Sequence, residues 1–272
     1  MAESSRSTDE ALQRAMELAR EALGDAPAGL LTDFDGTLSP IVTDPALSEL
    51  VEGAHGALAT LAERLAVVAI VTGRASADAR RMAGVPGVLI AGNHGTEWLQ
   101  PGADEATGPA GSSQLQASLD VIMARLPDLP GVVIEHKGTT ASVHFRSAPD
   151  PDATLRLILG ALGDIEEHGF HIGHGRKIVE IRPTGLGDKG SAVHQIVQRY
   201  GLRGAVVMGD DITDLDMFRA VAELRGAGSL RGAIIGVGGP DGETPREVSA
   251  AADVVLGDPE QAAAFLALLA QG

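Results

Sequence analysis

The chain has 272 residues, a formal net charge of −16 and a hydrophobic content of 44%. This length and balance fit one large or two small globular domains, and the negative charge disfavours nucleic-acid and anionic-membrane partners, which bind basic surfaces. The absence of cysteine excludes disulfides and thiolate metal sites, and neither a secretory leader nor a membrane span is indicated, so we expect a soluble cytoplasmic protein.

Three apolar runs of strand length occur in the first hundred residues, each separated from the next by a helical pattern. Buried strands alternating with helices predict βαβ units and a parallel sheet. Each run ends in polar residues, and ligands of open parallel sheets bind beyond the carboxyl ends of the strands. We expect the N-terminal helix over 10–23 to lie on the surface as an accessory element outside the core. In chain order the predicted elements are the helix 10–23, the strand starting at Leu30, the helix 47–64, the strand 66–71, the helix 76–82 and the strand 87–91.

A stretch rich in Gly, Pro, Ala and Ser over 101–113 predicts a linker. After it, two similar halves, each a helix followed by two strands, predict an αββαββ module with a half-exposed antiparallel sheet. The α/β pattern then resumes, so the module is inserted into an α/β domain. The predicted elements are the helices 113–125, 152–165, 189–200 and 215–224, the strands 132–136, 140–146, 168–172, 177–182, 204–209, 233–237 and 254–256, a turn at 173–175, and a last helix capped by Asp258.

These patterns divide the chain into three regions. Residues 1–26 form an N-terminal helical extension, 27–103 and 184–272 together form a core domain, and 104–183 form the inserted domain. The expected fold class is α/β, with a Rossmann-like parallel sheet and an inserted α+β domain.

The string DFDGTL over 33–38 follows the first predicted strand directly. Asp33 and Asp35 point the same way if the chain stays extended, and Gly36 then allows a tight turn. One carboxylate that attacks phosphorus beside another that handles the leaving-group proton suits phosphoryl transfer. The alternative interpretation is a turn-forming Asp-Gly pair.

The string GDDITDLDMF over 209–218 places four aspartates, Asp210, Asp211, Asp214 and Asp216, within seven positions at the end of another strand. Carboxylates packed together raise each other's pKa unless a cation compensates, and hard oxygen ligands with a phosphate substrate favour Mg²⁺. The alternative interpretation is a helix N-terminus that carries aspartates, which the helix dipole favours. It explains Asp214 and Asp216 better than the consecutive Asp210 and Asp211.

Two shorter strings are weaker indicators. Thr72, Gly73 and Arg74 follow the second strand, where a hydroxyl and backbone N–H groups at a helix start can hold phosphate oxygens. An ordinary helix cap would have the same sequence pattern. The string GDKG over 187–190 opens a helix with Lys189 but lacks the Walker P-loop spacing. A Gly-rich dinucleotide string does not follow the first strand, which argues against a nucleotide cofactor.

Taken in order, DxDGTL, TGR, a lysine and GDDxxD resemble the haloacid dehalogenase superfamily of phosphatases. The resemblance implies that Asp33 is the nucleophile that forms an aspartyl-phosphate, and that Asp35 protonates the leaving oxygen and then activates water. It also implies an Mg²⁺ cofactor. The remaining implied roles are Asp33, the backbone carbonyl of Asp35 and Asp210 as ligands of the ion, Asp211 and Asp214 as support for that site, Thr72 and Lys189 as ligands of the phosphoryl oxygens, and Gly73 and Arg74 as substrate-binding residues.

Further strings are similar to those of the trehalose-6-phosphate phosphatase family, over roughly residues 28–258. They include AGNHG over 91–95 and GRKIVEIRP over 175–183, whereas Leu215 stands where the family usually has an acidic residue. The resemblance implies a fold with a cap domain of the C2B type and a small sugar phosphate as substrate, and it implies no obligate protein partner. The substrate-binding residues that it adds are Glu135, Lys137 and Glu180, followed by His144, Asn93 and His94.

Several alternatives stay open at this point. Glu180 and Arg182 could form a cross-strand salt bridge instead of a sugar site. The catalytic residues would equally suit a phosphatase acting on sucrose phosphate or mannosyl-3-phosphoglycerate. A phosphomutase would use the same aspartate pair with a bisphosphate activator, and a non-catalytic regulatory module is the remaining rival.

Overall fold

The computed structural model describes residues 2–42, 44–108, 112–175, 177–185, 187–238 and 244–272. The chain divides into two compact units, a first unit of Met1–Thr107 with Gly187–Gly272 and a second unit of Gly108–Leu186. The first unit is α/β with a mainly parallel sheet and the second is α+β with an antiparallel sheet, so the predicted fold class is confirmed. Among the helices in the described ranges, none is long and apolar enough to cross a membrane.

The described residues form these helices and strands. The strands are β1 (Ala28–Thr32), β2 (Val67–Val71), β3 (Leu89–Gly92), β4 (Glu97–Leu99), β5 (Val133–Lys137), β6 (Thr140–His144), β7 (Phe170–Gly175), β8 (Ile178–Pro183), β9 (Gly204–Gly209), β10 (Arg231–Val237) and β11 (Val254–Leu256). The helices are α1 (Ala2–Leu23), α2 (Ala54–Arg64), α3 (Ser76–Ala83), α4 (Ser112–Met123), α5 (Pro151–Ala161), α6 (Lys189–Tyr200), α7 (Leu215–Gly226), α8 (Arg246–Ala251) and α9 (Pro259–Gln271).

The sheet of the first unit has the strand order β11-β10-β9-β1-β2-β3-β4, and only β4 runs antiparallel. Helices cover both faces of the sheet. Successive residues of a strand point to opposite faces, so Leu30 packs with α1, α2 and α9, whereas Leu31 packs with α6 and α7. The strand order changes direction at β1, which lies between β9 and β2. The carboxyl ends of these three strands therefore meet where ligands of such sheets bind.

The prediction that the N-terminal helix is a surface accessory is wrong. Its residues Ala15, Met16, Ala19 and Ala22 are buried in the core cluster that covers one face of the sheet. The small side chains recur at helical spacing and let α1 approach the strands closely. The helix is therefore part of the first unit and not an appendage of it.

The second unit is a four-stranded antiparallel sheet in the order β5-β6-β8-β7, with α4 and α5 against one face. Val143, Val179 and Ile181 point to that face and are fully buried with Phe170. The residues between them in the strands lie on the opposite face, which is polar.

Some local predictions differ from the structure. Residues 97–99 form the antiparallel strand β4. This strand was not predicted, because three residues are too few to show an alternating pattern. Strand β7 continues to Gly175, so the predicted turn at 173–175 is wrong, because the extended pairing with β8 includes all three positions. Asp258 does cap α9, accepting a hydrogen bond of 2.7 Å from the Gln261 N–H. Residues 109–111 of the predicted linker and Arg176 lie outside the described residues.

Candidate active site

Asp33 lies directly beyond β1 and is almost completely buried, at 5% exposure. Its N–H donates to the Met208 carbonyl oxygen of β9, so pairing of the two central strands fixes its backbone. Lys189, the first residue of α6, is 3% exposed and donates from Nζ to Oδ1 of Asp33 at 2.7 Å and to Oδ1 of Asp214 at 2.7 Å. A buried ammonium thus joins two buried carboxylates.

The pKa values in this cluster are strongly shifted. Burial raises the pKa of Asp33, and Asp214 raises it further against the opposing charge of Lys189, to about 8. Burial alone would lower the pKa of Lys189, but Asp214 and Asp33 outweigh it and hold that pKa well above its usual range. The ammonium is therefore charged at neutral pH, but it does not fully offset burial and the repulsion between the carboxylates, so the pKa of Asp33 stays high.

Asp210 closes the cluster from the end of β9. The pKa of Asp210 is raised well above its usual range, mainly by burial and then by the negative charges of Asp214 and Asp33. The Thr37 hydroxyl donates to Oδ1 of Asp210 at 2.8 Å. The backbone of Gly36 passes so close that a Cβ there would lie 2.0 Å from Asp210 Oδ2, and Gly36 has a φ of +83°. The glycine of the DFDGTL string is thus required both by the turn and by the approach of Asp210.

Asp214 and Asp211 have different surroundings from Asp210. Asp214 is wholly buried, and its Oδ2 accepts from the N–H groups of Asp210 and Asp211 at 3.0 and 3.1 Å. Asp211 is exposed, and its carboxylate accepts from the Asp214 N–H in a reciprocal capping box. Asp214 therefore shapes the loop after β9 while it holds Lys189.

The donor set fits a divalent cation. Among the described residues, carboxylate oxygens of Asp33, Asp210 and Asp214 lie within 4.8 Å of one another. Fully ionised, the three carboxylates and the ammonium of Lys189 would carry a net charge of −2 in a buried space, which a divalent ion would neutralise while favouring the ionised forms of Asp33 and Asp210. The oxygen donors are of the hard type that Mg²⁺ prefers. The carboxylates of Asp35 and Asp211 are not part of this cluster.

The side chain of Asp35 is paired with Arg74. The guanidinium donates from Nε to Oδ2 at 2.6 Å and from Nη2 to Oδ1 at 2.5 Å, and the Ser48 hydroxyl donates to Oδ1 at 3.2 Å. Ser48 is buried and comes from the loop after β1. No sequence motif singled out Ser48, since a serine in a loop carries no signal of its own.

Thr72 and Gly73 lie beyond β2, next to the end of β1. The Thr72 hydroxyl is buried and accepts from the Arg74 N–H at 3.2 Å. A Cβ at Gly73 would lie 2.8 Å from Cε1 and Nε2 of His94, so the imidazole packs directly on the glycine backbone. Thr72, Gly73 and His94 are thus gathered at one edge of the sheet, as the position of their motifs predicted.

Asn93 occupies a less accessible place than we expected for a substrate-binding residue. It is wholly buried with a φ of +47°, and its side-chain amide donates to Glu97 Oε1 at 2.6 Å. The other oxygen of Glu97 accepts from the N–H and hydroxyl of Ser76 at the start of α3. These bonds tie the loop after β3 to α3.

In the second unit, Glu135, Lys137 and His144 form one polar group on the open face of the sheet. Oε2 of Glu135 lies 3.3 Å from Lys137 Nζ and 3.1 Å from His144 Nε2. The hydrogen bond with His144 is the main cause that lowers the pKa of Glu135 to about 2, against the opposite effect of burial. Glu135 is therefore ionised at every pH above that range.

Glu180 lies in the same row of this face, because Ser142 pairs with both Glu135 and Glu180. Its carboxylate is bonded to Arg182, two residues along the strand, and Gly173 beside them leaves room for the two side chains. The alternative of a salt bridge between Glu180 and Arg182 is thus observed, although along one strand and not across two. It does not remove Glu180 from the polar face.

The first unit defines the class of the protein. A parallel sheet whose central strand ends in a buried aspartate, bonded to a lysine from a later helix and packed against aspartates after the neighbouring strand, defines a fold of the haloacid dehalogenase superfamily. The antiparallel second unit, inserted between β4 and α6, corresponds to a cap domain.

Comparison with known proteins identifies the family. The family model described as trehalose-phosphatase matches residues 31–237. A trehalose-phosphate phosphatase of Mycobacterium avium is 37% identical over 199 residues, which cover 70% of this chain and 50% of that protein. An uncharacterized glycosyl hydrolase of Mycobacterium tuberculosis is 37% identical over 222 residues, 78% of this chain and 16% of that protein. The chain belongs to the trehalose-phosphatase family.

A solved structure agrees with this assignment. The C-terminal domain of trehalose-6-phosphate phosphatase from C. albicans superposes with a TM-score of 0.76 at 25% identity, covering 94% of this chain and 97% of that one. The chain spans half or less of the two curated relatives described, so it corresponds to part of those longer proteins.

Proposed function

We propose that this chain hydrolyses trehalose 6-phosphate to trehalose and phosphate through an aspartyl-phosphate on Asp33. The observation that carries the proposal is the buried Asp33 carboxylate beyond β1, held by Lys189 beside Asp210 and Asp214. Membership of the trehalose-phosphatase family supports the choice of substrate. The reaction would be the last step of trehalose biosynthesis.

The chemistry divides into two displacements at phosphorus. In the first, a carboxylate oxygen of Asp33 bonds to phosphorus, the bond to the sugar oxygen breaks, and Asp35 gives that oxygen a proton. In the second, Asp35 takes a proton from water, the water oxygen bonds to phosphorus, and the bond to Asp33 breaks. Lys189 lies within hydrogen-bond distance of the attacking carboxylate, so its positive charge is in place for the phosphoryl oxygens.

Mg²⁺ is the cofactor that we propose, with Asp33, Asp210 and the backbone carbonyl of Asp35 as its ligands. A bound divalent ion supplies positive charge to the phosphoryl group and offsets the repulsion between the carboxylates. Asp214 is committed to Lys189 and to two backbone N–H groups, which supports a role in shaping the site. Asp211 is proposed to help hold that loop through its capping bond.

Replacing Gly36 by alanine tests the metal site. The new Cβ would meet Asp210 Oδ2, so we expect Asp210 to move and the affinity for Mg²⁺, measured by calorimetry, to fall about tenfold or more. Gly53 is a matched control, because its φ is +86° and nothing lies within 4 Å of a Cβ placed there. Both alanine variants should lose about 1 kcal/mol of stability from backbone strain. Equal Mg²⁺ affinity in the two variants would contradict the assignment of Asp210.

The sugar is proposed to be recognised by the polar face of the second unit. Glu135, Lys137, His144 and Glu180 supply hydrogen-bond acceptors and donors on one side of the sheet, and trehalose is a neutral molecule rich in hydroxyl groups. Sites built to hydrogen-bond hydroxyls reject analogues that lack them. His94 is proposed as a further contact near Gly73, whereas the buried amide of Asn93 supports a positioning role through Glu97.

The direct test of the function is a phosphate-release screen over sugar phosphates with Mg²⁺. We expect trehalose 6-phosphate to be turned over far faster than sucrose phosphate or mannosyl-3-phosphoglycerate. Equal turnover of many phosphosugars would contradict the assigned specificity. Activity that depends on a bisphosphate and releases no phosphate would indicate a phosphomutase.

Replacing Glu135 by glutamine tests the sugar site. The change removes the charged acceptor between Lys137 and His144, and we expect kcat/KM for trehalose 6-phosphate to fall roughly 10- to 100-fold. Hydrolysis of p-nitrophenyl phosphate, which has no sugar, should change much less. The same substitution at the exposed Glu167 of this unit is the control. An equal loss with both esters would argue against sugar recognition by Glu135.

A further inference from the structure

The pairing of Arg74 with Asp35 points to a role that differs from substrate binding. We infer, on the basis of the proposed function, that Arg74 and Ser48 are positioning residues which hold the Asp35 carboxylate for proton transfer to the leaving oxygen. Nε and Nη2 of Arg74 donate to the two carboxylate oxygens at 2.6 and 2.5 Å, the planar fork that sets the orientation of a carboxylate.

Arg74 is itself held in place by the loop after β1. Its Nη1 donates to the Pro45 carbonyl oxygen at 2.8 Å, and its Nη2 donates to the Ser48 hydroxyl at 2.7 Å. The guanidinium lies over the Phe34 ring, 5.7 Å from its centre. All three guanidinium nitrogens thus donate to atoms of the chain. Because these donors already bond to Asp35 and to the loop after β1, the geometry favours Arg74 as a residue that positions Asp35 over one that binds a phosphate.

Asp35 needs such support because its side chain is 36% exposed, whereas that of Arg74 is 11% exposed. A half-exposed aspartate would otherwise sample several rotamers. A general acid contributes only when it lies within hydrogen-bond reach of the atom that receives the proton. The buried hydroxyl of Ser48 donates to Oδ1 of Asp35 while it accepts from Arg74, so it closes a triangle around one carboxylate oxygen.

The test compares two phosphate esters that differ in their need for a proton. A sugar oxygen departs with a proton from Asp35 as its bond to phosphorus breaks, whereas the p-nitrophenolate of p-nitrophenyl phosphate departs as a stabilised anion. The quantity to measure is kcat/KM, which reports the steps up to formation of the aspartyl-phosphate. Arg74→Lys keeps the charge but loses the fork, and we expect it to raise the ratio of kcat/KM for p-nitrophenyl phosphate to that for trehalose 6-phosphate about tenfold or more.

Ser48→Ala removes one hydroxyl and should shift the same ratio in the same direction by about threefold. It keeps the inference testable if Arg74→Lys does not fold. Arg80→Lys is the matched control. Arg80 lies in the last turn of α3 and donates to the carbonyl oxygens of Ala103 and Gln100, so its replacement should not move the ratio.

A double variant separates positioning from phosphate binding. If Arg74 acts only through Asp35, Arg74→Lys should cause no further loss of kcat/KM with p-nitrophenyl phosphate in an Asp35→Asn background. A further loss there, or an equal fall with both esters in the single variant, would overturn the inference while leaving the proposed function intact. Wild-type protein that releases phosphate from neither ester would contradict the proposed function and the role of Arg74 with it.

Discussion

Asp33→Asn is expected to reduce phosphate release from trehalose 6-phosphate by at least about a thousandfold, because an amide oxygen cannot form the covalent phosphoryl intermediate. The fold should tolerate the change. Burial and the neighbouring Asp214 raise the pKa of Asp33 to about 8, so the removal of its charge relieves repulsion inside the cluster. We therefore expect a melting temperature no lower than that of the wild type, together with the loss of activity.

The control for this prediction is Asp258→Asn. Asp258 lies in the same unit and caps α9 by accepting from the Gln261 N–H, a role that asparagine fills equally well. Activity should be retained in this variant. Turnover by Asp33→Asn above about one per cent of the wild-type rate would be incompatible with covalent catalysis through this residue.

Lys189→Met is expected to have the largest combined effect on activity and stability. The variant leaves the carboxylates of Asp33 and Asp214 buried without their ammonium partner, and breaking a buried pair in this way costs about 3–5 kcal/mol. It also removes the positive charge proposed to face the phosphoryl group, so we expect turnover to fall by at least about a thousandfold. Urea unfolding and phosphate release measure the two effects.

The stability of this variant should depend on pH in a defined direction. The folded-state pKa of Asp33 is raised from 3.8 to about 8, so folding favours its protonated form, and stability falls as the pH rises through that window. Lys189 opposes this shift in the wild type. In buffer with a chelator, Lys189→Met should have a lower free energy of unfolding than the wild type, and this difference should be larger at a pH near 8 than at a pH near 5.

Lys177→Met serves as the stability control for this series. Lys177 lies in the second unit, is 44% exposed, and has Asp152 at 3.8 Å as its partner. Exposed pairs of this kind contribute at most about 1 kcal/mol. If Lys189→Met were no less stable than Lys177→Met at either pH, the buried pairing in the first unit would not support the fold as we infer.

The approximate position of the candidate site could be predicted from the sequence, because apolar runs of strand length end in polar residues. The strands of a parallel sheet point in the same direction, so the residues after β1, β2 and β9 had to meet at one edge. This conclusion depends only on the period of the pattern and the direction of the strands. In the second unit, Glu135 and Glu180 could be placed on predicted antiparallel strands, but their common face depends on the strand register that the structure shows.

The contacts of individual side chains could not be predicted in this way. Arg74 follows a threonine and a glycine in a string that suits phosphate binding, yet its fork is directed at Asp35, which is 39 residues away in sequence. Asn93 carries a polar amide, but a left-handed backbone turns it inward to Glu97. The partner of Arg74 is brought close by the packing of separate loops, which leaves no local pattern, whereas the contact of Asn93 with Glu97 depends on a backbone conformation that the hydrophobic pattern does not reveal.

The fold class and the edge of the sheet where the chemistry lies follow from the amino-acid sequence, because the hydrophobic period is a local property, and the paired aspartates follow from the short string after the first strand. The folded chain was needed to show that α1 belongs to the core, that Asp33, Asp210 and Asp214 surround one buried space with Lys189, and that Ser48 donates to Asp35. Burial and the meeting of distant residues are properties of the packed chain. They therefore set the charges and pKa values on which the proposed reaction depends.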